Sequence, residues 1–93
     1  MPRPLYSPTD LRRFRTNYSH WRSVRRDVIP GLNNPRATYL VRELLIGYRL
    51  LFRIQHMERT PENRQALREF VAEMAGRELE LNDLIANPRA AAA

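Results

Sequence analysis

Apolar residues recur along this chain in three periodic runs. Each run is opened by a hydroxyl or amide residue followed by proline: Ser7-Pro8, Asn34-Pro35 and Thr60-Pro61. In each step a good N-cap residue precedes a proline at the first helical position, where the missing N–H leaves no bond unmade. In the first run Leu11, Phe14, Tyr18, Trp21, Val24 and Val28 fall at steps of three and four, the signature of an amphipathic helix over residues 8–28. Asp10 completes a variant capping box with Ser7. Pro30-Gly31 stops this helix and Leu-Asn-Asn forms a short turn.

The second run, residues 35–57, is the most apolar and predicts a helix roughly 34 Å long. On a helical wheel Leu40, Val41, Leu44, Leu45, Tyr48, Leu51, Phe52 and Ile54 cover well over half the circumference. A surface helix needs an apolar stripe of only about 100°. This helix is therefore expected to sit between two others, with Gly47 allowing a close approach. The third run, residues 61–86, places Leu67, Phe70, Val71, Met74, Leu81 and Ile85 on one stripe and Glu62, Glu69, Glu73 and Glu80 on another. Asn87-Pro88 ends it. Short connections imply antiparallel neighbours. The expected fold is all-α, a single domain over 1–93: an up-down-up three-helix bundle with an extended arm over 1–6 and a short tail over 87–93.

Polar residues in the wrong place mark candidate chemistry. Glu78 lies by wheel angle inside the apolar stripe of the third helix. A buried carboxylate must be paired or neutralised. Arg42, Arg49 or an arginine of the first helix would form a buried ion pair with it; otherwise the helix turns and Glu78 reaches solvent. The first helix carries a basic stripe of Arg12, Arg15, Arg22 and Arg26, and the second a strip of Arg42, Arg49, Arg53 and His56. Both are candidate sites for a phosphate or for an acidic protein partner.

Composition sharpens this picture. The net charge is +6, and all 16 basic residues are arginine, whose planar guanidinium suits bidentate contact with carboxylate and phosphate. Residues 1–56 hold 11 Arg against Asp10, Asp27 and Glu43, a balance of +8, whereas residues 57–93 balance at −2. An anionic partner is therefore expected at the front half. There is no Cys, His20 and His56 stand apart, and three glycines form no phosphate loop. These absences predict a non-catalytic chain with no metal and no resident cofactor. No apolar stretch is long enough to span a membrane. The first 26 residues are rich in Arg and hydroxyls and nearly free of acid, as mitochondrial transit peptides are. The segment RRFRTNYSHWRSVRR also interleaves Arg with aromatics, a composition that suits RNA.

Over residues 9–85 the layout resembles the LYR-motif family of small mitochondrial proteins. The likeness rests on LRRFRTNYSHWRSVRR, on TYLVRELLIGYRLLF and on the long third helix. The family's Leu-Tyr-Arg triplet is replaced by Leu11-Arg12-Arg13-Phe14-Arg15, and the nearest literal triplet is Gly47-Tyr48-Arg49. The resemblance implies an accessory subunit or assembly factor on the matrix side of the mitochondrial inner membrane, in a respiratory complex or the ATP synthase. It also implies a partner acyl carrier protein, whose acyl-phosphopantetheine would be contacted by basic residues. A ribosomal or other RNA-binding protein is the rival expectation.

Overall fold

Three side chains start the three long helices. In the computed structural model, which describes residues 3–88, Ser7 accepts from the Asp10 N–H, Asn34 from those of Arg36 and Ala37, and Thr60 from that of Asn63. The helices so capped are α1 (Pro8–Asp27), α3 (Pro35–Ile54) and α4 (Pro61–Ala86), with a one-turn helix α2 (Ile29–Leu32) between the first two. Among the described residues there is no strand. The first two residues, and the expected tail beyond Pro88, lie outside the described residues.

The expected boundaries need three corrections. Pro30-Gly31 does not end in an open turn. Pro30 stands in the first turn of α2, and Asn33, with φ 48° and ψ 43°, closes that turn in the left-handed region. The second long helix ends at Ile54, not Met57. There the Met57 N–H donates to the Ile54 carbonyl three residues back, at 3.0 Å, closing the last turn, and the Gln55 carbonyl, left free by the helix end, accepts from the Leu5 N–H at 2.8 Å. The arm is likewise not a free extended segment. Leu5 and Tyr6 are each only 3% exposed, and the Tyr6 hydroxyl donates to the Leu51 carbonyl at 2.6 Å. Tyr6 also meets the Phe14 ring edge-on, with centroids 5.1 Å apart.

The wide apolar arc explains where α3 sits. Leu40, Val41, Leu44 and Leu51 are fully buried, and α1 and α4 both pack chiefly on α3 rather than on each other. α1 supplies Phe14, Trp21 and Val24 to the core; α4 supplies only Met74 and Leu81 as buried residues. Gly47 faces Met74: a Cβ built there would lie 3.0 Å from the Met74 Cε and Sδ atoms. The result is an elongated helical bundle measuring 52 × 21 × 16 Å.

Candidate docking face

The two basic stripes come together across the α1–α3 contact. Tyr18 joins them. Arg49 of α3 donates through Nε to the Tyr18 hydroxyl at 3.0 Å, and the Arg49 and Arg22 guanidinium carbons stand 5.9 and 5.8 Å from the Tyr18 ring centroid. Such cation–π contacts hold each planar group without cancelling its charge. Phe52 closes on the same ring edge-on at 5.5 Å. Arg12, Arg15, Arg42, Arg53 and His56 are exposed and make no ion pair among the described residues. Arg26 differs, because Asp27 accepts from its Nε and Nη2 at 2.8 and 3.0 Å. That contact lowers the Asp27 carboxyl below its ordinary range and raises Arg26. Six of the eight expected site residues are thus arginines with no ion pair among the described residues.

Glu78 is the main correction at this level. It neither forms an ion pair with Arg42, Arg49 or an α1 arginine nor turns out into solvent. It is half-buried between α1 and α3, and two neutral donors hold it: the Trp21 indole Nε1–H at 2.8 Å and the Tyr48 hydroxyl at 3.0 Å. Hydrogen bonds to an ionised acceptor are stronger than neutral ones, which lets a carboxylate sit here without a cation. A cavity of about 220 Å³ lined by Arg13, Asn17, Tyr48, Met74 and Glu78 adjoins it. Burial, then the neighbouring Glu78 charge, pushes the Tyr48 phenol well above its ordinary value. No wheel diagram could show this, because it depends on which α1 and α3 side chains reach the level of Glu78.

Three further features were missed. Arg36 and Glu80 form a two-pronged bridge between the start of α3 and the end of α4, at 2.6 and 2.9 Å. Arg3, Arg59, Arg64 and Arg68 ring an open cavity of about 650 Å³ at the start of α4. The third is an apolar seam on α3. Tyr39, Ile46, Leu50 and Met57 remain 40%, 49%, 44% and 44% exposed. Their spacing of seven, four and seven was legible, but the breadth of the buried arc hid it.

Phe14 and Trp21 are buried in the core, whereas Tyr18 is half-buried under Arg22 and Arg49 and His20 is exposed. Among the described residues no three metal-ligating side chains cluster, and no helix is long and apolar enough to cross a membrane. No family model, no curated protein and no solved structure matches the chain.

Proposed function

We propose that this chain is a non-catalytic accessory subunit that docks on acidic surfaces of neighbouring proteins through the joined basic face of α1 and α3. One observation carries the reading: Arg12, Arg15, Arg42 and Arg53 are exposed without an ion pair among the described residues, beside an apolar seam that stays 40–49% exposed. Exposed arginine beside exposed hydrocarbon is the composition of protein interfaces. An RNA partner is less well supported, because Phe14 and Trp21 cannot stack on bases from inside the core. The helices take the up-down-up order of a three-helix bundle, with α3 in the middle. The assembly in this reading is a respiratory complex or the ATP synthase, on the matrix side of the mitochondrial inner membrane. The acid-poor, Arg-rich first helix and the LYR-like layout support that placement.

The test is native electrophoresis of solubilised mitochondria carrying the tagged chain. Co-migration with a large complex is expected, and Arg12→Glu with Arg15→Glu should abolish it while leaving the helix content intact. Recovery of the wild type only as a free cytosolic protein overturns the proposal. Capture of RNA that falls steeply between low and moderate salt would move the function to nucleic acid.

A further inference from the structure

We infer that the exposed seam of α3 takes a second copy of this chain, paired about a two-fold axis running parallel to α3. The inference rests on the docking reading above and names one partner of that face; the α1 stripe is left for other proteins.

The order of chemistry across the face carries the argument. Tyr39, Ile46 and Leu50, with Met57 just past the helix end, form the apolar strip. On its α1 side run Arg42, Arg49 and Arg53, fixed there by the Arg49–Tyr18 hydrogen bond. On its α4 side, Leu50 and Met57 share a groove with Ala66 and Phe70. Glu62, Glu69 and Glu73 lie four residues before, three after and seven after Ala66, so they share its face of the helix. The face therefore reads acidic, apolar, basic from one edge to the other.

That order is self-complementary in one way only. A two-fold axis parallel to α3 lays seam on seam and sets each acidic edge over the partner copy's basic edge. A two-fold axis in the face but across α3 sets acid on acid and arginine on arginine. An isologous pair needs just such a patch. A face about 30 Å long along α3 and 21 Å across projects on the order of 600 Å², the low end of the ~600–1,000 Å² per partner of specific interfaces. A micromolar dimer is the expected result.

Sedimentation of the purified full-length chain from about 1 to about 100 µM reads the outcome. The wild type should pass from monomer to dimer across that range and weaken as salt rises. Ile46→Glu should weaken pairing about tenfold or more, and Leu79→Glu, an exposed control off the seam, should leave it unchanged. Glu69→Arg with Glu73→Arg, and separately Arg42→Glu with Arg53→Glu, should each be monomeric alone and form a heterodimer when mixed, since both edges are then opposite in charge. Pairing strengthened by salt overturns the parallel axis. A wild type monomeric at about 100 µM overturns the inference, and its co-migration with a large complex would still leave the docking reading standing.

Discussion

Replacing Glu78 should destabilise the fold more the more hydrophobic the replacement. In the native chain the Glu78 carboxylate accepts from Trp21 at 2.8 Å and Tyr48 at 3.0 Å, and both donors belong to side chains no more than 3% exposed. Among the described residues no buried side-chain polar atom lacks a partner. Glu78→Gln keeps one acceptor oxygen and loses the charge assistance, a cost of about 1 kcal/mol. Glu78→Ala removes both acceptors but opens the adjoining cavity of about 220 Å³. Water, at about 30 Å³ a molecule, can then enter and take the donors' bonds, so the cost is about 1–2 kcal/mol. Glu78→Leu puts hydrocarbon of similar size where the carboxylate stood, so no water takes its place against the donors. Two donors are orphaned at about 1–3 kcal/mol each, offset by about 1 kcal/mol of apolar burial, for a net loss of about 1–5 kcal/mol, centred near 3 kcal/mol. At about 4–8 °C per kcal/mol, the central values of about 3 and about 1.5 kcal/mol put the Leu variant roughly 12–24 °C below wild type and the Ala variant roughly 6–12 °C below. Thermal unfolding followed by circular dichroism gives the midpoints, and the fluorescence of Trp21, the single tryptophan, reports the same site. A Leu variant as stable as wild type, or more stable than the Ala variant, refutes the claim that this carboxylate serves Trp21 and Tyr48.

The arm belongs to the core, so deleting residues 1–6 should cost about 3–5 kcal/mol from the lost burial of Leu5 and Tyr6, read as a lower denaturant midpoint with unchanged slope. Tyr6→Phe alone, losing the bond to the Leu51 carbonyl, should cost about 1 kcal/mol in the same titration. Gly47→Ala should change stability by less than about 1 kcal/mol, because the gain in helix propensity offsets a small shift of the flexible Met74 end; Gly47→Leu should cost about 2 kcal/mol or more by overpacking. Burial raises both Tyr6 and Tyr48 above the ordinary 10.0. The folded chain therefore holds phenolic protons that the unfolded chain releases. Stability from this source is complete below the ordinary tyrosine value and falls as pH rises above it. Denaturant midpoints at about pH 9 and about pH 11 should show that fall, and the double Phe variant should flatten it.

Much of the fold was legible because its signals are local. Ser7, Asn34 and Thr60 each act on N–H groups within three residues, and the prolines that follow them fix the helix starts. The seam between α1 and α3 followed from spacing alone. What escaped depends on contacts between residues far apart in the chain. The carbonyl left free at the end of α3, that of Gln55, is taken up by the Leu5 N–H, 50 positions away. The fate of Glu78 is decided by Trp21 and Tyr48, 57 and 30 positions away. A wheel identifies a carboxylate in an apolar stripe, yet whether a cation or a neutral donor meets it depends on the rotation of two other helices. The same limit applies to the arginine stripes: their exposure was legible, and Tyr18 as the joint between Arg22 and Arg49 was not.

These long-range polar contacts matter most for α4. Of its 26 residues only Met74 and Leu81 are buried, against eight of 20 in α3. Apolar burial near ~25 cal/mol per Å² is the main force holding a helix to its neighbour, and α4 has comparatively little of it. Leu67, Phe70, Val71, Leu84 and Ile85 pack only partly buried against the core, and the polar attachment is concentrated in the C-terminal half: Glu78 to Trp21 and Tyr48, Glu80 to Arg36. The Glu80 bridge is exposed and contributes orientation more than stability. Glu78 is the only one of the two shielded from water, and it ties α4 to α1 and α3 at once. A polar residue kept inside an apolar stripe thus performs what the short core of α4 cannot, fixing the rotation of that helix. The same rotation sets Glu62, Glu69 and Glu73 beside the α3 seam, so the charge order of the docking face depends on a half-buried side chain behind it.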